Sequence, residues 1–126
     1  MAAFLIFVGA GMGGLARYAV GNWVQAATGP TFPWGTLLIN VSGSLLLTFL
    51  YALLEGTAAP PEWRALLGIG LCGGYTTFST FSYETARLLQ DGEWERALLY
   101  VVGSVVVSLA AAFVGFRVAT VIMHRG

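Results

Sequence analysis

Hydroxyl, carboxamide and aromatic side chains recur at helical spacing in three stretches of this 126-residue chain. Thr36, Asn40 and Ser44 stand four apart in "GTLLINVSGSLLLT", and Tyr100, Ser104 and Ser108 repeat that spacing in "YVVGSVVVSL". Residues four apart share a helix face, so each set forms a polar stripe on an apolar segment. The third stretch, "GIGLCGGYTTFSTFSYE", sets Gly73 and Gly74 before two threonines, then places Phe78 and Phe81 three apart. No embedded nucleophile with a base and no cluster of metal-ligating side chains accompanies them, so an enzyme is not expected. The single histidine, His124, belongs to the C-terminal tail, and the single cysteine, Cys72, reads as a small packing residue. These residue types are suited to coordination. Hydroxyls and an amide donate hydrogen bonds to an anion, and a benzene ring presents a positive edge. That moderate attraction suits conduction, because an ion held by full positive charges would not leave. The alternatives are ordinary: intramembrane hydroxyls commonly bond their own helix carbonyls, and phenylalanines at that spacing commonly pack in a core.

The elements that must carry these residues follow from hydropathy. The chain is 57% apolar and only 10% charged, with a formal net charge of zero, a composition that belongs to an integral membrane protein. Residues 18 to 54, 65 to 83 and 97 to 116 carry no formal charge, and a fourth such stretch, 1 to 16, ends at Arg17. About 20 helical residues span the hydrocarbon core, so the longest stretch must fold back around "QAATGPTFPWG". The expectation is an all-α membrane domain over 1–126 with four transmembrane helices, at about 2–24, 33–55, 63–88 and 95–120. The first lacks a basic leader and reads as a retained helix rather than a signal peptide. In it, Gly9 and Gly13 make a small-xxx-small pair, with Arg17 and Gly21 continuing the face.

The third helix should be interrupted near 73–77, since glycine in a helix interior costs about 1 kcal/mol relative to alanine. A break inside a membrane exposes amides and carbonyls at several kcal/mol each. It persists where protein, water or an ion meets those groups, and discontinuous helices are a recurring ion-site device. Asn40, costly in lipid, also demands a partner.

Four spans put Arg64, Arg117 and Arg125 on one side of the membrane and Arg17, Arg87 and Arg96 at or near the other. Positive residues set orientation, and three against three sets none. Both orientations can then insert, and opposed copies can pair as an antiparallel dimer. The chain shows no internal repeat, so two-fold architecture would come from pairing whole subunits.

The blocks "GAGMGGLARY", "GTLLINVSGSLLL" and "GLCGGYTTFSTFSYE" together resemble the Fluc, or CrcB, family of fluoride channels across essentially the full chain. The resemblance implies an antiparallel, dual-topology homodimer in the cell inner (plasma) membrane. Two pores would let cytoplasmic fluoride leave passively, selectively against chloride. It implies that Phe78 and Phe81 line the pores beside Asn40, and that Tyr100, Ser104 and Ser108 form a polar track with Thr36 and Thr77 as further hydroxyls. Arg17 would raise the anion concentration at a pore mouth, with Glu84 at the far end of the path. It also implies a structural sodium ion on the dimer axis, held by backbone carbonyls of Gly73 and Thr76. Tyr75 departs from the family, which often has an aliphatic residue or phenylalanine there.

Two other readings compete. A proton-coupled exporter of the small multidrug resistance type needs a carboxylate in its first helix, and residues 2 to 24 contain none. A membrane assembly protein would account for the glycines but not for the aligned hydroxyls, Asn40 and the break together. The expected partners are thus fluoride, sodium, lipid and a second copy of the chain, with no nucleic acid.

Overall fold

The chain is described by a computed structural model over residues 1–125, which is helical throughout with no strand among the described residues. Helix α1 covers Ala2–Thr28 and α2 covers Trp34–Gly56. The segments Pro61–Trp63, Arg64–Cys72 and Gly73–Tyr75 then run on without interruption as one rod, α3 (61–75). After Thr76 and Thr77 the chain resumes as α4, Phe78–Gln90, and ends in α5, Trp94–Arg125. Helices α1, α2 and α5 are each long and apolar enough to cross a membrane.

Helix α1 outruns the expected end at 24 because its last turn is tied off by side chains. Thr28 Oγ1 donates to the Val24 carbonyl at 2.8 Å, and Gln25 Nε2 donates to the carbonyls of Gly29 and Phe32. Gln25 Oε1 in turn accepts the Gly35 amide at 3.3 Å, so one side chain pins the turn between α1 and α2. Gly29, at φ 86, supplies the left-handed residue that ends α1. Helix α5 likewise runs beyond the expected 95–120.

The middle of α3 is not an ordinary α-helix. Over Arg64–Cys72 the backbone is wound as a π-helix, whose hydrogen bonds reach five residues instead of four. Its first turn is anchored to α2: the Arg64 guanidinium lies 4.3 Å from the Tyr51 ring centroid and 3.3 Å from Glu55 Oε1. The same Tyr51 ring occupies the space where Gly68 would carry a side chain.

Helix α1 lies against α3 backbone to backbone. A Cβ on Gly13 would stand 2.8 Å from the Tyr75 nitrogen and 3.1 Å from the Gly74 carbonyl carbon, and one on Gly74 would stand 2.8 Å from the Ala10 Cα. The expected small-xxx-small face is this crossing, as close approach of helices in lipid requires. Helix α2 packs chiefly on α5, where Thr48 Oγ1 bridges the two by donating to the Ala112 carbonyl at 2.8 Å. Large apolar side chains such as Phe7, Leu15 and Phe113 are left exposed on the outside.

Candidate functional site

The interruption falls at Thr76 and Thr77, at the C-terminal end of the expected range. Gly73 is itself helical, at φ −62 and ψ −39, and α3 continues to Tyr75. Gly74 therefore serves close approach to α1 rather than the bend, while a Cβ on Gly73 would meet only the Gly68 carbonyl oxygen of its own helix at 3.9 Å. The two threonines are extended, at φ −85, ψ 156 and φ −151, ψ 121, and an alternative set of hydrogen bonds holds them so. Asn40 Nδ2 donates to the Thr77 carbonyl at 3.0 Å, while the Thr77 amide donates to Asn40 Oδ1 at 2.9 Å. One carboxamide thus satisfies both polar groups of a residue that has left the helix. The demand for a partner that a membrane setting places on Asn40 is met here, and among the described residues one of its N–H groups stays free for other use.

Each cut helix end is capped. Arg17 Nε donates to the Gly74 carbonyl at 3.2 Å, placing a cation at the C-terminus of α3, where the helix dipole favours it. Thr77 Oγ1 accepts the Thr80 amide at 3.2 Å as the N-cap of α4. The carbonyls of Gly73 and Thr76, by contrast, accept no hydrogen bond among the described residues. A trans peptide points its N–H and C=O in opposite directions. Because the Thr77 amide faces Asn40 on α2, the Thr76 carbonyl is aimed away from α2. Two unengaged carbonyl oxygens at a helix break are hard donors of the kind that suits a hard monovalent cation, and so fit the expected ion.

A cavity of about 380 Å³ gathers most of the expected anion residues on one side of the break. Asn40, Thr77, Phe78, Phe81, Ser104 and Ser108 all line it. Phe78 is 78% exposed, and its ring centroid lies 5.6 Å from that of Phe81. Phe81 leans on Tyr100, 5.0 Å away, and Phe32 meets the same tyrosine edge-on at 5.5 Å. Tyr100 is fully buried, Ser104 nearly so, and neither hydroxyl has a hydrogen-bond partner among the described residues. Ser44 instead bonds its own helix, donating to the Asn40 carbonyl at 2.7 Å.

Arg17, Thr36 and Glu84 lie on the other side, lining a second cavity of about 300 Å³ together with Thr77 and Thr80. Thr36 Oγ1 donates to Glu84 Oε1 at 2.5 Å. Thr77 lines both cavities and stands between them. Gly73 lines neither. Sequence reasoning missed the Thr36–Glu84 pair, which joins residues 48 apart. It also missed Thr80 as a partner of the cap, although a threonine three residues before another polar residue at a helix start is a readable signal.

The arrangement can pass a small anion between hydroxyls, an amide and ring edges, and it offers no constellation for bond making. A family model described as CrcB-like protein, Camphor Resistance (CrcB), matches residues 4–116. The chain is 48% identical over 114 residues to a fluoride-specific ion channel FluC of Thermus thermophilus, covering 90% of this chain and 89% of the relative. It is 44% identical over 121 residues to that of Paramagnetospirillum magneticum, with 94% of each covered. Against that of Pyrococcus abyssi it is 46% identical over 116 residues, covering 91% of this chain and 93% of the relative.

Proposed function

The chain belongs to the CrcB-like family, and from that premise we propose that it is a fluoride-specific ion channel embedded by several helices in the cell inner membrane. It is a channel protein, not an enzyme. The observation that carries the reading is the 380 Å³ cavity, in which two phenylalanine rings, an amide and five hydroxyl side chains converge with no charged side chain among its lining residues. Such a wall attracts an anion through ring edges and hydrogen-bond donors without trapping it. Flow is passive, out of a cell whose fluoride exceeds that outside.

The broken pair α3 and α4 serves as the fourth membrane crossing. Two copies in opposite orientations pair as a homodimer with two pores, a reading supported by the equal division of the six arginines. The unengaged carbonyls of Gly73 and Thr76 would hold a sodium ion on the dimer axis. Two carbonyls leave a cation's coordination shell incomplete, so the partner copy would complete the ligand set. When bound, the ion neutralises carbonyl dipoles at the break. Arg17 and Asn40 position those carbonyls from α1 and α2.

Purified protein reconstituted in liposomes loaded with fluoride or chloride tests the function, with each anion followed by its own electrode. Fluoride should leave rapidly and chloride should stay. Equal release of both, or release of neither, would sink the proposal.

A further inference from the structure

Tyr75 is a polar side chain at the break to which the proposed ion pathway gives no task. It is the last residue of α3 before the chain turns extended. Its hydroxyl lies 2.9 Å from Ser42 Oγ. Ser42 Oγ also lies 3.2 Å from the Ile39 carbonyl oxygen, so with Tyr75 as donor both contacts are hydrogen-bonded. The tyrosine ring lies over Gly43, where an added Cβ would stand 3.1 Å from Tyr75 Cδ2.

These contacts complete a pattern. Helix α2 grips the chain on both sides of Thr76, through Ser42 on Tyr75 and through Asn40 on Thr77. With only the second grip, Thr77 could hold Asn40 while the end of α3 slid past α2, and the Thr76 carbonyl between them would lose its direction. We infer that Tyr75 is a positioning residue for the ion pathway: its bond to Ser42 and its ring on Gly43 fix the end of α3, so that the extended pair stays open toward both cavities. The inference rests on the proposed channel only for its flux arm.

The test compares Tyr75→Phe, Ser42→Ala, their combination and the conservative Ser42→Thr in detergent and in liposomes. Hydrogen exchange at the amides of residues 76 and 77 reads the break directly. Losing one net hydrogen bond should speed it about fivefold in each of the first two variants, while amides in the middle of α5 exchange as before. The double variant should exchange no faster than either single one, since both remove the same bond. Fluoride efflux should fall in the same variants, and Ser42→Thr, which keeps the hydroxyl, should retain both readouts. Unchanged exchange in Tyr75→Phe and Ser42→Ala would overturn the inference, as would faster exchange with undiminished efflux. Exchange needs no ion flux, so a wild-type chain that passed no fluoride would refute the proposed function while the exchange comparison still decided the role of Tyr75.

Discussion

Replacing Gly13 with alanine should cripple the channel although one methyl group is added to a helix that otherwise gains from it. The new Cβ would point into the peptide between Gly74 and Tyr75, 2.8 Å from the Tyr75 nitrogen, with the Leu71 carbonyl also in its way. All of these atoms are backbone, so no rotamer change can relieve the contact. Helix α1 must move off α3, which strains the bond from Arg17 to the Gly74 carbonyl, one turn along the same face. Overpacking of this kind costs about 1 to 3 kcal/mol, which lowers the equilibrium constant for the correctly closed arrangement roughly 5- to 150-fold. Gly11 and Gly14 provide matched controls. A Cβ at either position meets nothing within 4 Å, and alanine there should add up to about 1 kcal/mol of helix propensity. The assay is fluoride efflux from liposomes at equal protein load, with the elution profile of each variant in detergent as a check on folding. Efflux from Gly13→Ala equal to that of Gly11→Ala and Gly14→Ala would refute the claim that backbone contact between α1 and α3 holds the break in place.

Asn40→Leu should lower efflux by roughly tenfold or more, since it strips the Thr77 amide and carbonyl of partners at about 1 to 3 kcal/mol each; near wild-type flux would mean that the break holds without its clamp. Phe81→Ile and Phe78→Ile should each slow fluoride release while leaving assembly intact, because the volume change is modest, and unchanged release in both would reduce the rings to packing. Exchanging sodium for a bulky organic cation during reconstitution should reduce both efflux and thermal stability, and indifference of both would remove the cation from Gly73 and Thr76. Two or three lysines added to the loop between α2 and α3 should drive every copy into one orientation and abolish fluoride resistance in cells lacking their own exporter. Co-expression of a variant biased the other way should restore resistance, and full activity from the one-way variant alone would exclude an antiparallel assembly.

Much of the fold was legible because hydropathy and helical spacing are local signals. The uncharged stretches located α1, α2 and α5, and the four-residue repeats correctly put Asn40 on one helix and Ser104 and Ser108 on another, all facing one cavity. The break was legible as a need but was placed by the wrong residues. Glycine weakens a helix, yet Gly73 and Gly74 stay helical because Gly74 is needed against Ala10, and the chain opens where Asn40 offers Thr77 better partners. That competition is settled by a side chain 37 residues away, which no local window contains. The pairing of Thr36 with Glu84 and the seat of Arg17 on Gly74 were hidden for the same reason. Arginine in the first helix read as a free charge at a pore mouth, whereas its Nε is engaged in capping α3 while the residue lines the smaller cavity.

The π-wound run Arg64–Cys72 bears on how this chain can change length over generations. An α-helix that loses one residue rotates everything beyond the deletion by about 100°, since 3.6 residues make a turn. In α1, α2 or α5 that rotation would carry glycines or hydroxyls off their faces. A π-wound stretch has a way out, because it packs an extra residue into each turn and can shed one by tightening toward α geometry. Single-residue deletions between 64 and 72 are therefore the indels this protein can absorb while Gly73, Gly74 and Tyr75 keep their bearings on α1 and α2. A library of one-residue deletions scored for fluoride resistance would show survivors gathered there.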